Sequence, residues 1–76
     1  MIKGKVQFVE GRRIKIDKDP RTFTVSQGFT LTILGAKIDT QKLAEVCNGD
    51  TVELLGVKAD PSFGDEVHTV RVTARK

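Results

Sequence analysis

The residues with the clearest chemical potential in this 76-residue sequence are its lysines and arginines. Six of them occupy positions where the alternation of polar and apolar residues predicts a side chain that points outward. These six are Lys3, Lys5, Arg13, Lys15, Arg71 and Arg75. Cations of this kind attract phosphates in any base sequence, so the pattern is typical of a nucleic-acid-binding surface. It is also typical of a solvated face that keeps strand edges from aggregating, and charge alone does not separate these interpretations.

Aromatic residues are the second group of interest, because the bases of a single strand stack on exposed rings. The chain has four phenylalanines and neither tryptophan nor tyrosine. Alternation predicts that Phe8 faces inward beside Val6, and that Phe23 and Phe29 are in register with the core. Phe63 lies in a predicted loop, so it is the aromatic residue that we expect to contact a base.

Catalysis and metal binding require combinations of residues that this sequence lacks. His68 is the only histidine and Cys47 the only cysteine, whereas a metal site usually needs several ligands at suitable spacing. Five acidic residues lie in predicted loops, and their spacing matches no EF-hand loop. These are Asp17, Asp19, Asp60, Asp65 and Glu66. The sequence contains no phosphate-binding loop, nucleophile elbow or dinucleotide fingerprint. It therefore predicts a non-catalytic protein with no metal and no cofactor.

Composition limits the class of protein further. Thirteen basic residues against ten acidic ones give a net charge of +3, which is compatible with a polyanionic partner. No apolar run approaches the ~18 residues of a membrane-spanning helix, and the first residues do not begin a signal peptide. One cysteine excludes an internal disulfide, which favours a reducing compartment. We expect one soluble, cytoplasmic domain over residues 1–76.

The elements that position these side chains are mainly predicted strands. Alternation runs through Lys3–Val9 and resumes after Gly11. Gly11 marks either a hairpin turn between two strands or a bulge in one long bent strand, and we favour the bent strand. Residues 26–28 predict a turn between short strands at residues 22–25 and 29–34.

One helix is predicted, at residues 40–48. Leu43, Val46 and Cys47 have the i, i+3 and i+4 spacing of a single apolar stripe, so Cys47 is expected to pack in the core. The predicted core residues are Val6, Ile14, Ile16, Phe23, Leu31, Ile33, Leu43, Val46, Val52, Leu54, Val70 and Val72.

Three strands, a helix and two strands form the element order of the five-stranded OB barrel. The stretch Gly49-Asp50-x-Val52-x-Leu54-x-Gly56-x-Lys58 resembles the fourth strand of OB-fold nucleic-acid-binding proteins, and Val67–Ala74 resembles their fifth. The resemblance implies a mainly β fold, a small OB-like barrel of five to six strands with one short helix before the last two. It also implies single-stranded nucleic acid as the partner, which the six basic residues and Phe63 would contact.

One departure from the OB pattern concerns base stacking. OB proteins of this kind stack bases on aromatic residues of strands two and three, where this chain carries threonines. These are Thr22, Thr24, Thr30 and Thr32. Residues 42–60 are also loosely similar to the helix–strand unit of phosphocarrier proteins, but the chain lacks the early histidine of that family.

Four apolar residues interrupt the alternation at positions predicted to face outward, namely Val9, Leu34, Leu55 and Val67. Together they would form an exposed patch of the kind that binds a protein partner or a second copy of the chain. They would equally well pack beneath the predicted helix. The alternative to nucleic-acid binding is therefore a structural or protein–protein interaction module that self-associates.

Overall fold

The computed structural model describes residues 2–38, 42–60 and 64–76. Within them the chain forms seven β-strands and one short 3-10 turn at Leu43–Glu45. The strands are β1 (Ile2–Glu10), β2 (Arg13–Ile16), β3 (Thr22–Ile33), β4 (Ala36–Ile38), β5 (Thr51–Leu55), β6 (Lys58–Asp60) and β7 (Gly64–Ala74). No helix in these three ranges is long and apolar enough to cross a membrane.

Five of the strands close into a barrel in the order β1–β2–β3–β7–β5, and β5 pairs back to β1. Neighbouring strands in this ring are antiparallel except β3 and β7, which run parallel. β4 extends the sheet beside β3, and β6 extends it beside β7. The mainly β class is confirmed, and the strand order is compatible with an OB-like barrel.

The predicted bent first strand is wrong, because the chain forms a hairpin at this point. β1 and β2 are antiparallel and separated by the two residues Gly11 and Arg12, with Glu10 opposite Arg13. Gly11 has a φ of +61°, a conformation that glycine adopts without a steric cost. A glycine at the first position of a two-residue loop also suits the tight turns that join antiparallel strands.

The predicted turn at residues 26–28 is also wrong, because β3 runs through it without a break. The pairing of β3 with β7 shifts in register between Val25 and Thr30, so the extra residues form a bulge. Gly28 lies in this bulge with a φ of +75°. The first error merged two strands into one, and the second divided one strand into two. The expected number of barrel strands is therefore the number that the structure shows.

The predicted helix is reduced to a single 3-10 turn in the part of it that the structure describes, residues 42–48. The Val46 N–H donates to the Leu43 carbonyl at 2.9 Å, after which Val46 is extended, with φ −86° and ψ 128°. Leu43 and Val46 are nevertheless both buried, because a 3-10 turn of three residues places side chains i and i+3 on the same side. Cys47 is exposed, so its expected place in the core is wrong.

The barrel interior holds one hydrophobic core. Every predicted core residue is buried except Ile33, which is half-buried and packs against the core. Three further residues complete the core, namely Val25, Phe29 and Val67.

Candidate nucleic-acid interface

A bulge in β1 decides which side chains reach the outer surface. The register of β1 against β2 shifts between Val6 and Phe8, so Val6 is buried whereas Phe8 is 38% exposed. The predicted inward orientation of Phe8 is therefore wrong. Phe8 lies opposite Lys15 on β2, which brings an aromatic ring and a basic side chain together on the outside of the barrel.

Basic residues surround this ring on β1, on β2 and on the turn that follows β2. We name the surface the β1–β2 strip and define it by Lys3, Lys5, Phe8, Arg13, Lys15 and Lys18. Three acidic residues adjoin it: Glu10 opposite Arg13, Glu53 opposite Lys3, and Asp17. The strip therefore has five positive charges beside three negative ones. Lys18, in the turn after β2, was not among the candidates predicted from the sequence.

The cations of the strip form no salt bridge with another described residue. The salt bridges of the described residues join Arg21 to Asp19 at 2.8 Å, Arg21 to Asp65 at 3.5 Å, and Arg75 to Asp50 at 3.6 Å. None of them involves a residue of the strip. The cations of the strip can therefore be neutralised by an external anion at no cost in internal ion pairs.

Lys15 differs from its neighbours because part of its ammonium is already used. Lys15 Nζ donates to the Ile16 carbonyl at 2.8 Å and to the Asp19 carbonyl at 2.5 Å. An ammonium has three donors, so one remains for a ligand. These bonds fix the position of the ammonium at the turn after β2, which reduces the entropy lost when a phosphate binds.

The turn between β2 and β3 contains a neutralised arginine. Hydrogen bonds from the Arg21 side chain and backbone lower the pKa of Asp19 to about 2, and Asp19 in turn raises the pKa of Arg21. The Arg21 guanidinium also lies 4.9 Å from the centre of the Phe23 ring. Because Asp19 and Asp65 both face Arg21, this residue adds little positive potential to the strip.

The six basic residues predicted from the sequence do not all meet on one surface. Lys3, Lys5, Arg13 and Lys15 lie on the strip. Arg71 is exposed on β7, two strands away from β1, with Glu53 of β5 between Arg71 and Lys3. The seventh predicted contact, Phe63, lies outside the described residues.

Arg75 has a structural role at the end of the chain. Its Nη2 donates to the Glu45 carbonyl at 2.8 Å, and its Nε lies 3.6 Å from Asp50 Oδ2. Asp50 is 2% exposed and also accepts the Cys47 N–H at 3.0 Å. These contacts tie the segment after β7 to the 3-10 turn and pair the Arg75 guanidinium with a buried carboxylate.

The four interrupting apolar residues do not form one exposed patch. Val67 is fully buried, so its predicted outward orientation is wrong. Val9 is half-buried against the core, because the bulge in β1 turns it inward, and Leu55 is half-buried on β5. Leu34 alone is strongly exposed, at 62%, on the loop between β3 and β4.

Comparison of this chain with protein-family models, with curated proteins and with solved structures finds no match in any of the three.

The described residues bring no three His, Cys, Asp or Glu side chains together as a metal site would require. His68 is exposed on β7, and Cys47 is exposed after the 3-10 turn. The β1–β2 strip itself combines five cations with one exposed aromatic ring.

Proposed function

We propose that this chain is a non-catalytic module that binds single-stranded nucleic acid along the β1–β2 strip. The observation that carries the proposal is the exposed ring of Phe8, directly opposite Lys15 within a group of cations. Single-strand binding combines cations placed along the phosphate backbone of the nucleic acid with an aromatic ring on which a base stacks.

The spacing of the cations supports the proposal. Lys3 and Lys5 lie on the same face of β1, two residues and therefore roughly 7 Å apart. Phe8 and Lys15 continue this surface on β1 and β2. A phosphate backbone that crosses the strip would meet positive charge on both sides of the ring.

Phe8 favours a single strand over a duplex. In a duplex the face of each base is covered by its neighbours, so a ring that projects from a strand has no base face to contact. In a single strand the bases splay outward and stack on such rings. The threonines of β3 offer no further ring, so we expect modest affinity.

The proposal is tested by fluorescence anisotropy with labelled oligo-dT and its RNA equivalent in 50 mM salt. Both oligonucleotides should bind at or below ~100 μM, the range of non-specific binders. Phe8→Ala should weaken binding by about tenfold, because stacking on an aromatic residue is worth ~1–3 kcal/mol per base. Val57→Ala is the matched control, since Val57 is 37% exposed and lies off the strip. Failure of both oligonucleotides to bind would contradict the proposal.

Phe63, Arg71 and Arg75 stay predictions that the same assay resolves. Phe63→Ala should weaken binding if the segment before β7 supplies a second ring. Arg71→Gln should weaken it less than Lys5→Gln, because Arg71 is two strands away from the strip.

Leu34 favours a second candidate function, a protein-interaction module. Its side chain is 62% exposed at a φ of +50°, where a bulky residue is unfavourable. A large apolar side chain at such a position suits the anchor of a protein interface. Sedimentation at high concentration tests self-association, which Leu34→Asn should abolish; a monomer at all concentrations would oppose a homodimer.

A further inference from the structure

One end of the β1–β2 strip contains a groove between three lysines. It is lined by Lys3, Gly4, Lys5, Asp17, Lys18 and Thr51, and we name it the lysine notch. Lys3 and Lys5 reach it from β1, Lys18 from the turn after β2, and Thr51 from the start of β5. Three segments of the chain therefore supply its charges and its one hydroxyl group.

Gly4 allows the notch to form. A β-carbon at this position would lie 2.7 Å from Asp17 Oδ1 and 3.1 Å from Lys18 Cγ, closer than such atoms approach without displacement. A glycine inside a strand weakens that strand and often marks the close approach of another backbone or a ligand. Here it lets the turn after β2 lie against β1, so that Lys18 lines the notch together with Lys3 and Lys5.

The charge of the notch is suited to a doubly charged anion. Its lining has three positive charges and one negative charge, that of Asp17. Asp17 Oδ1 already accepts the Lys5 N–H at 2.8 Å, and Glu53 lies opposite Lys3 on β5, outside the lining. A phosphodiester within a strand carries one negative charge, whereas a phosphate monoester carries about −1.5 to −2 at pH 7.

The geometry points to the lysine notch as a site for a phosphate monoester on the end of the bound strand. This inference rests on the proposed function, because the strip would guide the strand to the notch. The notch adds a preference that the rest of the strip lacks, since a monoester gains more from three ammonium groups than a diester does.

Terminal phosphates provide the direct test. Internally labelled oligo-dT of one length is compared with a 5′-phosphate, with a 3′-phosphate and with neither. We expect one phosphorylated end to bind roughly tenfold tighter, the effect of an added charge-assisted contact. Equal affinity for all three oligonucleotides would overturn the inference and leave the proposed function intact.

A pair of variants separates the notch from general electrostatics. Lys18→Gln should remove the preference for the phosphorylated end. Lys37→Gln removes the same charge from an exposed position on β4 and should leave the preference intact. A preference that survives Lys18→Gln would overturn the inference.

Inorganic phosphate tests the notch without an oligonucleotide. In an NMR titration, the amide signals of Gly4 and Thr51 should shift and saturate in the wild type but not in Lys18→Gln. Absence of a saturable shift, with normal binding of unphosphorylated oligo-dT, would overturn the notch alone. A saturable shift without binding of any oligonucleotide would instead overturn the proposed function and the strand-end assignment.

Discussion

Leu34 occupies a backbone conformation that a large L-residue rarely adopts. Its φ is +50° and that of Gly35 is +87°, as a two-residue hairpin loop of type I′ requires. The left-handed region costs an L-residue about 1–2 kcal/mol, whereas asparagine tolerates it better. The backbone at Leu34 is therefore strained, and its exposed side chain is the reason why we propose it as the anchor of a protein interface.

The cost at Leu34 gives a prediction for stability. Leu34→Asn creates the Asn-Gly pair that type I′ turns prefer, so the free energy of unfolding should rise by about 1 kcal/mol. The check is a urea titration, in which the midpoint should rise with the slope unchanged. Leu34→Ala is the control, because alanine lacks the polar side chain that lets asparagine tolerate this conformation, and it should not raise the midpoint. A lower midpoint for Leu34→Asn would mean that the leucine contributes packing that outweighs the strain.

At the scale of the elements, two glycines show where sequence patterns stop being informative. Gly11 and Gly28 both have positive φ, +61° and +75°. The chain reverses at Gly11, whereas β3 continues through Gly28 because it pairs with β7 on both sides of the bulge. The two glycines have similar backbone conformations, so the pairing partner decides whether the chain turns or the strand continues. That partner is distant in the sequence, and local alternation does not reveal it.

The same limit explains which part of the candidate site could be predicted. Alternation placed Lys3, Lys5, Arg13 and Lys15 correctly on the outside. It placed Phe8 inside, because a bulge inverts the parity of every residue beyond it. Val9 is the residue that could have indicated this bulge. An inserted residue reverses the alternation, so an apolar residue at a position predicted to face outward is expected after it.

Asp50 is the residue on which the segment between the 3-10 turn and β5 depends. Its carboxylate is 2% exposed and accepts the Cys47 N–H at 3.0 Å, and its own carbonyl accepts the Val6 N–H at 2.8 Å. It also faces Arg75 at 3.6 Å. The side chain of Asp50 thus joins the 3-10 turn to Arg75, and its backbone carbonyl joins this segment to β1.

Replacing Asp50 should therefore destabilise the fold. Asp50→Ala leaves the Cys47 N–H without its acceptor and should lower the free energy of unfolding by about 1–3 kcal/mol. Asp50→Asn retains an oxygen for that hydrogen bond, so it should cost less. Both are measured by urea denaturation. Equal losses for the two variants would assign the effect to the charge facing Arg75 and contradict the hydrogen-bond explanation.

At the scale of the whole molecule, the net charge of +3 conceals an uneven distribution. Arg21 and Arg75 are paired with carboxylates, whereas the cations of the β1–β2 strip form no ion pair among the described residues. A surface with unpaired cations keeps its attraction for an external polyanion, and ordinary salt weakens that attraction through screening and counterion release. Six basic residues outside the strip also form no salt bridge among the described residues, so the grouping of five cations on β1, β2 and the turn after β2, rather than ion pairing or total charge, distinguishes the strip.

The salt dependence of binding to oligo-dT is the most direct test of the strip as a single-strand interface. Contacts to four or five phosphates predict a slope of log K against log salt of about −3, from roughly −0.7 per phosphate. Lys5→Gln combined with Arg13→Gln should reduce the magnitude of that slope by about 1.4. Lys37→Gln combined with Lys58→Gln removes the same charge from β4 and β6 and should leave the slope unchanged. Equal reduction of the slope by both pairs would contradict the account, because the strip would then be no more than one part of a uniformly basic surface.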